Sequence, residues 1–513
     1  MKTDKELYRQ LRVLSCDKLW NEEVARFDQA TPKERMQRVA VIRAVGVVFT
    51  ASGTTKQRAE VKAWLTRLLK DPSEKIRRYA MAALPKIGAG RGEEAELLSL
   101  LKTTTGDREK KHLGRALDKI GGAATLDVVA GTPGFLPQTE QKVKASVARK
   151  QKPSTVRLDR VISDFARLRI HLRCRKGLEK ILREEVDEYI AKHGKFRVIH
   201  VASRLIELAP VAPFSLADLY TLRCFATMGF VLGTVPGPES AASTEALAKV
   251  ITSPLARNIL TTLTEGSVRY RIDFVSKGHQ RGAVHLLANR AYELCPEILN
   301  DARQAPWSMD VYPSSGGFGV ELRPRLYPDP RLSYRQDDVS AASHPPLAAC
   351  MAKLAGKQEG EVVWDPFCGS GLELVERALL GGVKRVYGTD ISREAVAIAA
   401  ANFAAAKLSD VKTKFVCCDF RDQAAMLGLS PGSVTLMITN PPMGRRVRVP
   451  GLHRLFEDLF AVAAIMLKPG GRLVFANPLS VGPKDPSLKL QYQQVVDLGG
   501  FDCQLEMYVK QEG

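Results

Sequence analysis

The chain has 513 residues, too many for one hydrophobic core, and its length suggests about three domains. Lys and Arg number 76 against 56 Asp and Glu, a formal net charge of +20, and 45% of residues are hydrophobic, enough for ordinary globular packing. The positive surplus fits a polyanionic partner, nucleic acid or a membrane surface, or a protein that is merely basic. The start MKTDKELYRQ has no apolar stretch of the kind a secretory signal needs, and no apolar run approaches the ~18 residues of a spanning helix. The nine cysteines are scattered without a CxxC pair, which argues against a zinc site and suits a reducing cytoplasm. The expectation is therefore a cytoplasmic protein with no metal.

Residues 1–130 are rich in Ala, Leu, Lys and Arg with few strand signals. A weak internal repeat runs through them: ALPKIG at 83–88 matches ALDKIG at 116–121, an offset of 33, and Leu65 and Leu68 recur as Leu98 and Leu101. Apolar residues three and four apart make each unit a helical hairpin. The run DPSEKIRRYAMAALPKIG resembles a HEAT repeat, which implies an all-α stack with one face free for binding. A plain helical bundle is the alternative. Arg77, Arg78 and Lys86 fit either RNA contact or pairing with neighbouring acids.

Residues 131–158 carry Gly, Pro, Gln, Ser and Lys without periodicity and read as a basic linker. Between 141 and 180 stand 13 Lys and Arg against 3 Asp and Glu, the densest positive stretch of the chain. It runs into ARLRIHLRC at 166–174, where basic and apolar residues alternate as in a half-buried strand. One face then packs inward while Arg167, Arg169, His171 and Arg173 project outward, as a phosphate-binding row or as a solvated strand face. An amphipathic helix, RKGLEKILREEVDEY, is opened by Gly177. With SLADLYTLR at 215–223 read as a helix and SVRYRIDF at 267–274 as a strand, residues 159–325 resemble a THUMP domain, a module of RNA-modifying enzymes. The resemblance implies an α+β RNA-binding region, which in tRNA-modifying relatives grips the acceptor end. Lys277, His279 and Arg281, in a glycine-flanked loop, join Arg167, Arg169 and Arg173 as RNA-binding candidates.

Residues 326–344 form an extended, Pro-containing connector. Arg331, Tyr334, Arg335 and His344 lie either near the mouth of an active site or in a structural strap.

From 345 to 513 strands alternate with helices. Strands are expected at 361–365, 384–389, 412–418, 433–439 and 471–477, with a helix at 393–403, the pattern of a parallel sheet covered on both faces. Segments 488–495 and 501–509 flank Gly499 and Gly500 as an antiparallel hairpin. The result is an α/β class I (Rossmann-like) methyltransferase arrangement. The segment NPLSVGPKDP leaves no room for the helix usual before the hairpin.

The chemistry follows from the strand ends, where open α/β sheets bind ligands. Asp365 ends the first strand, in DPFCGSG, and Gly369 and Gly371 admit a ligand close to the backbone. Asp365 is placed to take the methionine amino group of S-adenosylmethionine. Asp390, 19 residues after Gly371, ends the second strand and suits ribose hydroxyls. Asp419 ends the third and suits the adenine amino group, with Phe420 alongside the ring. A dinucleotide-binding domain is the alternative, but its GxGxxG is absent. Asn440-Pro441-Pro442 ends the fourth strand. The Asn440 side-chain oxygen and the Pro441 carbonyl can each accept one N–H, which aims the amine lone pair at the sulfonium methyl. The attacked amine loses its proton once the methyl has arrived, so no strong base is needed first. A target base inside a duplex has to flip out.

DPFCGSG, NPPMGRRV and the surrounding SGLELVERA and GTDISREAVAIAAAN look very like the THUMP-containing RNA guanine-N2 methyltransferases. The resemblance implies N2-methylation of guanosine in the tRNA acceptor stem, around position six. Carried over by position, the S-adenosylmethionine set is Asp365, Phe367, Cys368, Gly369, Gly371, Asp390, Ile391, Asp419, Phe420 and Asn440. The amine site is Asn440, Pro441, Pro442 and Met443. Arg335 lies in the segment that precedes the fold, and Arg445 and Arg446 fit phosphates beside the flipped base or a solvated turn. Two positions depart from the family: Leu372 where it often has Thr, and Met443 where it usually has the Tyr or Phe that stacks on the base. The same motif serves rRNA guanine, DNA bases and protein glutamine, and a non-catalytic RNA-binding scaffold is a further alternative.

Overall fold

The computed structural model describes residues 4–512 except 89, 123, 126, 129–152, 239, 276–279, 340–341, 423–427, 445–449 and 480. The chain divides into two compact units that do not follow chain order: Met1–Thr155 with Thr264–Ile272 and His279–Pro306, and Val156–Leu263 with Asp273–Gly278 and Trp307–Gly513. The described residues resume after the expected linker at Pro153.

The N-terminal part of the first unit is helical. After α1 (Asp4–Leu11) and several short turns come α2 (Ala40–Ser52), α3 (Thr55–Leu68), α4 (Glu74–Ala83), α5 (Arg91–Thr103) and α6 (Asp107–Ile120). Helix α2 is apolar on most of its surface and buries Val41, Ile42, Val45, Val48 and Phe49; each such side chain contributes roughly 1.5–3 kcal/mol. A capping box between Thr54 and Gln57 opens α3. Helix α4 starts at 74 and α6 at 107, a difference of 33 that equals the sequence repeat. The repeated motif itself folds in two ways. ALDKIG completes α6, whereas ALPKIG is a turn after α4, since Pro85 has no N–H to continue the helix. Arg77 joins the two helices, with Nε to Glu109 Oε1 at 2.5 Å and Nη2 to Oε2 at 2.8 Å. It is therefore paired with an acid, as one of the two sequence readings required, and Arg78 pairs with Glu74.

In the second unit, β1 (Ile170–Arg173), α7 (Glu179–His193), β2 (Phe196–Ala202), β3 (Leu205–Pro210), β4 (Thr227–Pro236), β5 (Trp307–Ser314) and β6 (Gly317–Pro324) build the middle domain. Its strands lie in the order β5-β6-β4-β1-β3-β2, all pairs antiparallel. The strand expected at 166–174 is only four residues long, because a turn closed by Leu168 N to Phe165 O precedes it. The helix expected at 215–223 is a single turn, Leu216–Leu219, capped by Ser215 and Asp218.

The C-terminal domain contains α8 (Pro345–Ala355), β7 (Glu361–Asp365), α9 (Leu372–Leu379), β8 (Val383–Asp390), α10 (Arg393–Ala405), β9 (Lys412–Cys417), β10 (Val434–Thr439), α11 (Leu452–Met466), β11 (Leu467–Asn477), β12 (Leu488–Asp497) and β13 (Asp502–Lys510). The seven strands run β9-β8-β7-β10-β11-β13-β12, the first five parallel and the last two antiparallel. Central β10, VTLMIT, is buried at every position, as a strand covered on both faces must be. Edge strand β9 exposes Lys412 and Lys414, a pattern that discourages edge-to-edge pairing. No described residue between β11 and β12 is helical, as the prolines there require. Under the sheet, Glu361 accepts from both Arg377 and Arg472, and all three are buried.

The middle domain packs on this sheet. Gly177 has φ +93°, and a Cβ there would lie 1.9 Å from Val495 O, so only glycine lets α7 approach the β12 strand. Asp497 N donates to Lys176 O at 3.0 Å, and the Asp497 carboxylate pairs with Arg204.

Candidate active site

The strand order reverses between β7 and β10, and ligands of such sheets bind at the carboxyl end of this crevice. Register puts Trp364 beside Met437, Asp365 beside Gly388, and Asp390 beside Cys417, so the ends of β10, β7, β8 and β9 stand in a row.

Asp365 is fully buried. Its Oδ1 accepts from Phe367 N at 3.0 Å, while Oδ2 has no hydrogen bond of ordinary geometry, although the Thr439 hydroxyl stands beside it. Burial, and then the neighbouring carboxylate of Glu373, push the Asp365 carboxyl well above the usual range. The glycine turn follows. Gly371 has φ +80°, and a Cβ on it would come within 3.1 Å of Ala399 Cβ, so the turn needs glycine for both backbone and space. Gly369 N donates to Asp390 Oδ2 at 3.1 Å, which ties the first strand end to the second. The other Asp390 oxygen caps Ser392 N at 2.9 Å, and each oxygen keeps a lone pair for a further donor.

Cys368 is buried, its thiol pushed up by that burial and by Asp365, so it packs rather than reacts. Phe367 and Phe420 stack with centroids 4.9 Å apart; Phe420 is buried and Phe367 half-buried, so Phe367 is the ring with the freer surface. Ile391 is 79% exposed beside Asp390. Asp419 is partly exposed and pairs with Arg421, Oδ2 to Nη1 at 2.8 Å.

Asn440 stands at the end of β10. Its Nδ2 donates to Ser343 Oγ at 2.7 Å, and its buried Oδ1 has no partner. Pro441 is buried, and Pro442 and Met443 are half-buried. Two residues that sequence reasoning missed complete this corner. Ser343 comes from the connector, and its hydroxyl also interacts with Glu373 of α9. Glu373 is 3% exposed, its Oε1 lacks a partner, and burial raises its proton affinity. His344, next to Ser343, is held down at about 4 by burial and by Arg175, Arg331 and Arg335, which keeps it neutral. A third missed residue, Asn402 of α10, pins the connector to the glycine turn: Oδ1 accepts from Gln336 N at 2.8 Å, and Nδ2 donates to Ser370 O at 2.9 Å.

The other expected residues divide differently. Arg331 and Tyr334 are buried in the strap rather than at a mouth. Arg331 donates to Phe225 O at 2.8 Å, and Tyr334 Oη donates to Glu376 Oε1 at 2.6 Å. Arg335 pairs with Asp338. The row on β1 is not a free cationic face: His171 Nδ1 lies 2.5 Å from Glu321 Oε1, and Arg173 pairs with the same buried carboxylate. Arg169 lies 3.6 Å from Glu207, and Arg167 is exposed. Arg281 is exposed at the start of the helix Arg281–Leu294, in the first unit. Lys277, His279, Arg445 and Arg446 lie outside the described residues. Among the described residues no cluster of His, Cys, Asp or Glu is arranged to hold a metal, and no helix is long and apolar enough to cross a membrane.

The fold and the row of strand ends define a class I methyltransferase domain, and the comparisons agree. Residues 333–483 match the family UPF0020, described as an RMKL-like methyltransferase domain. Two proteins named tRNA (guanine(10)-N2)-dimethyltransferase, from Methanothermobacter thermautotrophicus and Methanocaldococcus jannaschii, are each 32% identical to this chain, over 136 and 139 residues, or 26% and 27% of it. The chain spans 38% of the length of these curated relatives. The structure of TrmN from Thermus thermophilus aligns with 67% of this chain and 99% of its own, with a TM-score of 0.51 and 19% identity. SMU.472 complexed with SAH aligns with 69% of this chain and 100% of its own, with a TM-score of 0.50 and 15% identity. At those identities the likeness is one of fold.

Proposed function

We propose that this chain is an S-adenosylmethionine-dependent methyltransferase that forms N2-methylguanosine in tRNA. One observation carries the reading: at neighbouring strand ends, Asp365 Oδ2 and Asn440 Oδ1 are buried oxygens without partners, and the Asn440 amide is already held through its nitrogen. Buried acceptors in that state cost free energy unless a donor arrives. An ammonium at Asp365 and an exocyclic amine at Asn440 are the donors that fit.

S-adenosylmethionine supplies an electrophilic methyl on a sulfonium. The protein binds and orients. Asp365 takes the ammonium, Asp390 the ribose hydroxyls, and Asp419, Ile391, Phe367 and Phe420 the adenine, while the backbone at Cys368, Gly369 and Gly371 gives it room. Asn440 Oδ1 and the Pro441 carbonyl accept the two N–H bonds of the guanine amine and fix its lone pair on the methyl, a positioning effect. Pro441 and Pro442 stiffen that loop. Met443 contacts the base edge through its polarizable sulfur.

The middle domain is read as a THUMP-like RNA-binding region and the helical unit as a HEAT-like stack, a platform for RNA or a protein partner. Arg167, the residue of the β1 region most open to solvent, together with Arg281, Arg335 and the residues at 277, 445 and 446, supports phosphate contact. Position six in the acceptor stem follows from the family resemblance, whereas the relatives are named for position 10. Met443, in place of an aromatic, favours a second reading: an RNA-binding scaffold that holds the cofactor without turnover.

The test is a methyl-transfer assay on unmodified tRNA with labelled cofactor, followed by nucleoside analysis and mapping. N2-methylguanosine is expected, and mapping separates position 6 from position 10 and one methyl from two. Cofactor binding with no transfer to any RNA overturns the reading in favour of the scaffold.

A further inference from the structure

Asn440 can present its oxygen to an incoming amine only if its side-chain amide is held one way round. Turned by 180° about its terminal bond, the group would offer N–H to N–H and repel the target. Oxygen and nitrogen of an amide have nearly the same shape, so packing alone does not choose between them. The choice must come from the polarity of whatever bonds the other end.

That other end is Ser343, which takes the Nδ2 hydrogen at 2.7 Å. A hydroxyl can donate or accept, so serine alone does not fix the direction either. Behind it stands Glu373, buried, with the Ser343 hydroxyl acting on its carboxylate. An ionised carboxylate only accepts. It draws the single proton of Ser343 toward itself, and the serine oxygen is then left as an acceptor for Asn440 Nδ2. The chain of bonds runs one way, from Asn440 to Ser343 to Glu373, and leaves Asn440 Oδ1 facing outward without a partner.

We infer that Ser343 and Glu373 are positioning residues that set the amide of Asn440 with its oxygen toward the target amine. They come from the connector and from the first turn of α9, so the amine site is completed by parts of the chain outside its own motif. The inference rests on the reading of Asn440 as the amine site.

Three variants test it: Ser343→Ala, Ser343→Thr and Glu373→Gln, with Asn440→Ala as a control. Loss of orientation lowers kcat for unmodified tRNA roughly 10- to 100-fold in Ser343→Ala, with KM for tRNA and calorimetric affinity for S-adenosylhomocysteine within about twofold. Ser343→Thr, which keeps the hydroxyl, restores turnover. Glu373→Gln gives an intermediate loss, because glutamine can bond with either polarity. The second readout needs no turnover. With asparagine side chains labelled with nitrogen-15, the amide pair that vanishes in Asn440→Ala shifts in Ser343→Ala and in Glu373→Gln. Wild-type kcat in Ser343→Ala, an unmoved Asn440 amide pair, a threonine variant as poor as alanine, or a parallel loss of S-adenosylhomocysteine binding each overturns the inference. Full transfer by Asn440→Ala instead defeats the reading of the amine site itself.

Discussion

Arg223 of the middle domain grips Glu376 of α9 with two nitrogens, Nε to Oε2 at 2.6 Å and Nη2 to Oε1 at 2.9 Å. The carboxylate is 2% exposed and also accepts from Tyr334, so this pair is desolvated rather than superficial. Removing one partner strands the other. Arg223→Ala is expected to destabilise the protein by about 3 kcal/mol, while Arg223→Met with Glu376→Leu recovers most of that. Urea unfolding of the single and double variants measures the difference, and equal losses in both would show that the pair is not coupled.

Asn440→Ala removes the acceptor proposed to aim the amine but nothing proposed to touch the cofactor. Methyl transfer to tRNA should fall by roughly two to three orders of magnitude, with S-adenosylhomocysteine affinity unchanged within about twofold. Transfer kinetics and calorimetry on the same preparation give both numbers.

Asp390 has the converse expectation. Its carboxylate is proposed to take ribose hydroxyls through bonds to a charged group, worth roughly 1.5–3 kcal/mol each. Asp390→Ala should therefore weaken S-adenosylhomocysteine binding by roughly 10- to 100-fold. It also frees Gly369 N, which Asp390 now holds, so the glycine turn should lose hydrogen-exchange protection. Unaltered affinity would reject the ribose role.

Asp365 makes cofactor binding depend on pH. Burial and Glu373 raise its folded pKa above that of the unfolded chain. The empty protein then binds more protons folded than unfolded, so this carboxyl contributes stability that is fully present below the unfolded pKa and is lost as pH rises through the folded one. A bound ammonium favours the ionised form and removes that loss. The rise in Tm on adding S-adenosylmethionine should grow as pH increases through the raised pKa, and Asp365→Asn should flatten the trend.

Short-range motifs made much of this legible in advance. DPFCGSG and NPP announced Asp365 and Asn440, because a strand end, a glycine turn and a rigid loop are written in consecutive residues. The alternation of β-branched runs and helical stripes located β7, β8, β10 and the hairpin within a few residues. What closed over long sequence distances was not legible. Ser343 lies 97 positions before Asn440, and nothing local marks it as a partner. Glu373 looked like the polar face of an amphipathic helix, but α9 is buried along nearly its whole length, so no polar face exists there. His171 and Arg173 read as an outward basic row. Their partner Glu321 lies 150 and 148 residues away, and the sheet alone brings it opposite.

Glu361, Arg377 and Arg472 show how such distant dependence shapes the protein's history. One carboxylate serves two guanidiniums in a place closed to water. Changing any one of the three leaves a buried charge uncompensated at a cost of several kcal/mol, a large part of the 5–15 kcal/mol by which folded proteins usually persist. An apolar set of the same shape can be as stable, but no single substitution leads there through folded intermediates. The three positions are therefore inherited as one character: lineages should carry all of them or none.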